Sequence, residues 1–127
     1  MKLIGHGVDL VACERIREIL AKENSPFEAR VFTAAEIAYC RRKKDPVPHF
    51  AARFAAKEAY GKALGVGLGA SGDLLEVEVT HDEKGAPGLR LHGRARELLE
   101  SRGGKPALSL SHDGAYAMAS VILWGEG

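Results

Sequence analysis

The hydrophobic period of this chain changes twice. Leu3-Ile4-Gly5-His6-Gly7-Val8-Asp9 is a short apolar run that predicts a strand delivering a carboxylate at its end, where Asp9 can also start a turn or cap the next helix. From Cys13 to Lys22 the period becomes helical: Ile16, Ile19 and Leu20 share one stripe, leaving Arg15, Arg17, Glu18 and Lys22 for the outside. Thr33 followed by Glu36 is a capping-box signature and predicts a second helix through about Arg42. Pro46 and Pro48 read as a break, after which an Ala-rich stretch predicts a long central helix over about Phe50 to Leu64, ended by Gly65 as a C-cap. Residues 65–72, Gly-Val-Gly-Leu-Gly-Ala-Ser-Gly, read as a loop. Beyond it the period falls to two. Leu75, Val77 and Val79 alternate with Glu76, Glu78 and Thr80, and a turn over 82–87 leads to a partner strand from Leu89 to His92. Arg94 to Ser101 predicts a helix with Leu98 and Leu99 inward, and Leu108 to Ser111, a turn at His112-Asp113-Gly114 and Ala115 to Trp124 predict a final hairpin. The fold class is α+β, an antiparallel sheet packed against helices, in one domain over 1–127.

Composition narrows the function. At 127 residues, 46% hydrophobic and 28% charged, the chain matches a globular domain that builds its core without staples. Its 18 basic and 17 acidic residues leave a net charge of +1, so no overall field marks a nucleic-acid binder, and an electrostatic partner must meet a local patch. Cys13 and Cys40 have no C-x-x-C spacing and no His at metal-ligand separation, which predicts free, buried or half-buried thiols. The amino end is too short in apolar residues for a signal-peptide core, and no stretch approaches the ~20 apolar residues of a membrane span. A reducing cytoplasm is the expected location.

The chemistry concentrates in Arg53-Phe54-Ala55-Ala56-Lys57-Glu58-Ala59-Tyr60-Gly61-Lys62-Ala63-Leu64-Gly65. Arg53 and Lys57 stand four apart, a like-charge spacing that costs a few tenths of a kcal/mol unless an anion sits between them. Glu58 and Lys62 have the same spacing with opposite charge, which suits either a solvated helix salt bridge or a pair of site groups. Gly7-Val8-Asp9, Arg15 six residues on, Arg53 to Ala59 and Leu108-Ser109-Leu110-Ser111-His112-Asp113 together resemble the holo-[acyl-carrier-protein] synthases, the small bacterial 4'-phosphopantetheinyl transferases.

The resemblance covers nearly the whole chain and implies a single phosphopantetheinyl-transferase module. The activity implied moves the 4'-phosphopantetheine arm of coenzyme A to a serine of an acyl carrier protein, in fatty acid biosynthesis, with adenosine 3',5'-bisphosphate released. It implies Mg2+ as cofactor, held by Asp9 and Glu58, a pair suited to a hard cation that takes carboxylates plus substrate phosphates. Glu58 and Lys62 become catalytic candidates, and Arg53, Lys57, Lys62, Gly65, Ser111 and His112 become contacts for coenzyme A. The proton acceptor stays open between Glu58 and His112. The loop after Gly65 suits either a plain connection or a pyrophosphate contact. Arg15, Arg17 and Lys22 are candidates for docking an acidic carrier protein, and the run Arg41-Arg42-Lys43-Lys44 suits the carrier, the phosphates or a solvated face. Larger relatives resemble two fused modules around one cofactor, so a single module is expected to borrow its second wall from a neighbour, and the family implies a homotrimer with sites between subunits. The other classes are a nucleic-acid binding module, for which the predicted strands offer few aromatic faces, and a non-catalytic carrier-binding subunit.

Overall fold

A helix rich in alanine has to be covered over most of its surface, and the central helix of this protein is, with only Lys62 exposed and Pro48, His49 and Glu58 half-buried. The computed structural model describes residues 1–66 and 72–127. In order, the elements are β1 (Lys2–Ala12), α1 (Cys13–Ala21), α2 (Phe27–Val31), α3 (Ala34–Arg41), α4 (Val47–Leu64), a 3-10 turn (Leu74–Glu76), β2 (Val77–His81), β3 (Pro87–Leu91), α5 (Gly93–Glu100), β4 (Gly104–Asp113) and β5 (Tyr116–Gly125). The strands form an antiparallel sheet ordered β1-β5-β4 and a separate β2-β3 hairpin. Helix α4 is the centre: Phe50, Ala51, Ala55, Ala56, Ala59 and Tyr60 are fully buried. Burying a side chain the size of Phe50 contributes about 2–3 kcal/mol.

Two glycines let the sheet lie against this helix. A Cβ on Gly5 would stand 1.9 Å from the Ala63 carbonyl oxygen, and one on Gly7 would stand 2.1 Å from that of Ala59. Backbone thus meets backbone, a use of strand glycine that the sequence pattern carries but the charge pattern hides. The register pairs Gly7 with Val121 and Asp9 with Ala119, so Gly7, Asp9, Ala119 and Val121 face α4. Val8, Leu10, Met118 and Ile122 alternate to the outward face, where all four are exposed.

Several predicted elements are found as expected. Thr33 caps α3, its Oγ1 accepting the Glu36 N–H while the Glu36 carboxylate accepts the Thr33 N–H. Gly65 closes α4 with φ +79°. Both cysteines are buried and free, and burial pushes the Cys40 thiol up to about 11.

Other elements differ for identifiable reasons. Helix α4 starts at Val47, before Pro48, because proline in the first turn lacks only an N–H that has no partner there; the Val47 N–H donates to the Asp45 side chain at 3.2 Å. The segment around Leu75 is a capped 3-10 turn and not strand, since Asp73 accepts the Leu75 N–H and Glu76 accepts the Asp73 N–H. Glu78 points inward, where its carboxylate meets the Thr33 hydroxyl at 2.9 Å and the His92 ring at 3.0 Å. Helix α2, too short to show a period, seats Phe27 against Phe32 and Phe54. His112 and Asp113 belong to β4, and the turn is at Gly114 and Ala115. Of the predicted loop, residues 67–71 lie outside the described residues.

Candidate active site

The close approach of β1 to α4 brings residues distant in sequence to one spot. Asp9 leaves β1 toward α4 and is 9% exposed; its Oδ1 accepts from Lys62 Nζ at 2.9 Å. The same ammonium donates to the Val8 carbonyl at 3.2 Å. Two of its three protons are thereby engaged, and more than half of the Lys62 side chain is open to solvent. Asp9 holds the Lys62 ammonium above the ordinary lysine range, so it stays charged through neutral pH.

Glu58 lies one turn before Lys62 on the same stripe of α4. It is half-buried and has no hydrogen bond or ion pair within reach among the described residues. Burial and, after it, the negative charge of Asp9 raise its pKa, while Arg15 and Lys62 oppose the rise. Two carboxylates that feel each other, one oxygen of Asp9 neutralised and Glu58 unpartnered, form the donor set of a hard divalent cation completed by phosphate oxygens and water. Among the described residues no group of three or more His, Cys, Asp or Glu gathers that could hold a metal ion by itself, so phosphate oxygens and water would have to complete the shell. The residues therefore fit Mg2+ held by Asp9 and Glu58.

A second polar cluster occupies the other side of α4. Arg53, 2% exposed, donates from Nη1 to the His49 carbonyl at 3.0 Å and from Nη2 to His81 Nε2 at 3.3 Å. Its guanidinium lies 4.2 Å from the Tyr39 ring centroid, and Tyr39 stacks on His81 at 4.4 Å. The His49 ring meets the His112 ring at 5.2 Å. At 100° per residue, Arg53 and Glu58 point about 140° apart around the helix axis. One copy of α4 thus carries two clusters that face different ways.

Not every candidate residue joins a cluster. Lys57 corrects the expectation of a phosphate contact: its side chain is wholly buried, and its ammonium donates to Glu36 at 2.9 Å, to the Leu74 carbonyl at 2.9 Å and to the Val77 carbonyl at 2.7 Å. All three protons are committed, which leaves none for a ligand. Burial pulls its pKa down against the opposing pull of Glu36. Glu36 also accepts the Val79 N–H at 2.9 Å, so the pair ties α3, α4 and β2 together. Ser111 and His112 leave β4 on opposite faces, His112 toward His49 and Ser111 toward the outward face beside Met118. Arg17 is held by Asp45 at 3.0 and 3.5 Å and has Glu14 at 3.6 Å. Arg15 is exposed, its guanidinium 5.9 Å from the Phe54 ring and near enough to Glu58 to act on its charge. Lys22 is exposed at the end of α1. In the basic run, Arg41 pairs with Glu28, and Arg42 and Lys43 lie over Tyr39.

Known proteins share this arrangement of elements. The chain is 47% identical over 122 residues to a holo-[acyl-carrier-protein] synthase of Syntrophus aciditrophicus, covering 95% of each. The holo-[acyl-carrier-protein] synthase structure from Neisseria meningitidis superposes with a TM-score of 0.87 at 30% identity, covering 96% of this chain and 98% of that one. The Helicobacter pylori holo-[acyl-carrier-protein] synthase in complex with coenzyme A gives 0.81 at 30% identity, covering 94% and 99%. Residues 5–120 match the model of the 4'-phosphopantetheinyl transferase superfamily, and it is to this family that the chain belongs.

Proposed function

We propose that this protein transfers the 4'-phosphopantetheine arm of coenzyme A to a serine of apo-acyl carrier protein, giving holo-acyl carrier protein and adenosine 3',5'-bisphosphate. What supports this most is the meeting of Asp9, Glu58 and Lys62 on one side of α4 in a chain of this family. In the reaction the serine Oγ forms a bond to the phosphorus that carries the pantetheine arm. The bond from that phosphorus to the bridging pyrophosphate oxygen breaks, and the electron pair leaves with adenosine 3',5'-bisphosphate. Lys62, charged and with one proton that no described residue accepts, donates to a phosphoryl oxygen as charge grows there. Glu58, beside Lys62, is placed to accept the serine proton; an oxygen of its carboxylate that the cation does not engage would take it, because a cation-bound oxygen is a poor base. Mg2+ held by Asp9 and Glu58 would supply Lewis-acid polarisation of the phosphate.

Carrier docking falls to Arg15 before Arg17, since Arg15 borders Glu58 whereas the charge of Arg17 is already met by Asp45 and Glu14. Lys22 extends the same basic strip. Arg53 and His112 serve the nucleotide end of coenzyme A, and Gly65 opens the loop after Lys62. Because Arg53 faces about 140° away from Glu58 on the same helix, and His112 of β4 meets His49 on the Arg53 side, one molecule of coenzyme A reaches both clusters through two subunits. The outward sheet face supports self-association: Val8, Leu10, Met118 and Ile122 are all more than a third exposed and form an uncharged apolar patch. These features favour a homotrimer with sites between subunits. No helix among the described residues is long and apolar enough to cross a membrane, and we place the enzyme in the cytoplasm, supplying holo-carrier for fatty acid synthesis.

The test is mass spectrometry of an apo-acyl carrier protein incubated with this protein, coenzyme A and Mg2+. Addition of the phosphopantetheine mass, lost when the cation is chelated, supports the proposal. An unmodified carrier that nevertheless binds the protein would favour a non-catalytic role.

A further inference from the structure

The basic cluster at the start of α4 contains a residue that the transfer step does not use. His49 is half-buried in the first turn, with His112 of β4 at 5.2 Å and Tyr39 of α3 at 6.3 Å between ring centroids. Arg53 lies one turn later on its own helix, and Lys43 and Asp45 face it from the segment before α4. Asp45 does little to balance the cations, because Arg17 and the Val47 N–H already hold its oxygens. Next to it, His81 receives a hydrogen bond from Arg53, so His81 Nε2 is an acceptor and that ring is neutral. The charges facing His81 are Arg53, Lys43 and Asp82, so protonating it would set a cation against Arg53. Arg53 itself is nine-tenths buried and more, and its Nε has no hydrogen-bond partner among the described residues. The cluster is thus positively charged and short of acceptors among the described residues, and its surroundings bias the His49 and His81 rings toward the neutral form.

We infer that His49 is a further phosphate-binding residue that takes up a proton when a phosphate of coenzyme A settles beside Arg53, so that coenzyme A binds more weakly as pH rises through the histidine range. The inference rests on coenzyme A being the substrate, as proposed above. In the free protein, burial first, then Arg53, His112 and Lys43 lower the pKa of His49. An anion at the cluster reverses the charge part of that shift and raises the pKa in the complex. Between the two values the complex binds more protons than the free protein, so affinity is high below the window and falls as pH rises through it.

Isothermal titration of coenzyme A into the full-length protein, in two buffers of different ionisation heat, reads the proton count directly. The monoester phosphate of coenzyme A titrates near pH 6 on its own account, so the decisive quantity is the difference between wild type and His49→Gln. Wild type should take up about half a proton more than His49→Gln at neutral pH, and its affinity should fall several-fold more between pH 6 and pH 8. Should His49→Gln fail to fold, His49→Phe keeps an aromatic ring against His112 and gives the same comparison. Coenzyme A bound with equal proton counts and equal pH dependence in wild type and variant overturns this inference and leaves the transferase proposal standing. No binding of coenzyme A to wild type overturns both.

Discussion

Gly7→Ala tests how the fold builds the site. The added Cβ would lie 2.1 Å from the Ala59 carbonyl oxygen, 2.6 Å from the Ala63 amide nitrogen and 3.0 Å from Lys62 Cβ. The first two are backbone atoms of a buried helix, so no side-chain rotation relieves the clash. To restore ordinary contact β1 must retreat from α4 by on the order of 1 Å. Overpacking of this kind costs about 1–3 kcal/mol, and the upper end applies because both partners are backbone. For a chain of this length that lowers Tm by about 10 °C. Asp9 lies two residues further along the same face of β1 and moves with it, away from Lys62 and Glu58; a displacement near 1 Å in a catalytic group costs about 100-fold in rate. Gly5→Ala meets an equally hard obstacle, the Ala63 carbonyl at 1.9 Å, but acts farther from Asp9. It should lose similar stability and less activity. Thermal melts alongside kcat/KM measured well below Tm check both. Gly7→Ala melting within about 2 °C of wild type and turning over at the wild-type rate would refute the close-packing account.

Lys57→Met leaves the buried Glu36 carboxylate without its cation and should cost about 3–5 kcal/mol, with Glu36→Leu in the same chain restoring part of it; lost turnover with an unchanged Tm would instead point to a phosphate contact. Glu58→Gln should abolish transfer yet raise Tm at pH 7. The raised pKa means that the folded state holds this proton more tightly than the unfolded chain, so ionisation costs stability above that pKa and the gain should vanish when melts are run near pH 4. Arg15→Glu should raise KM for the carrier protein about tenfold with KM for coenzyme A nearly unchanged, and Arg17→Glu should do less; steady-state kinetics with each substrate varied in turn would show equal losses if docking lies elsewhere.

What could be read from the sequence was local. The Thr33–Glu36 box and the Gly65 cap each close within a few residues, so their chemistry is complete in the text of the chain. Asp9 and Lys62 are identifiable as candidates through a family resemblance, but their contact depends on β1 lying flat on α4, which depends on Gly5 and Gly7. That signal was present as two glycines in an apolar strand. Lys57 was misleading because a lysine four residues from an arginine on a helix suggests exposure; its burial is decided by carbonyls of Leu74 and Val77 that arrive from another element. Arg17 was misleading in the same way, since Asp45 reaches it from the segment before α4. His112 reads as part of a turn with Asp113 and Gly114, whereas β4 runs on through Asp113, and it is this extension that turns His112 toward His49.

The central claim is that two clusters about 140° apart on one helix serve one coenzyme A from two copies of the chain. Glu58→Gln removes a group from one wall and Arg53→Gln removes a group from the other, and each variant alone should be nearly inactive. When equal amounts are mixed and allowed to exchange subunits, a random half-by-half pairing leaves both walls intact at about one interface in four. The account predicts recovery of about a quarter of wild-type transfer after exchange and none before it. Activity of the mixture that stays at the sum of the two variants after exchange is complete, or full turnover by wild type that light scattering shows to be monomeric, would contradict the shared site.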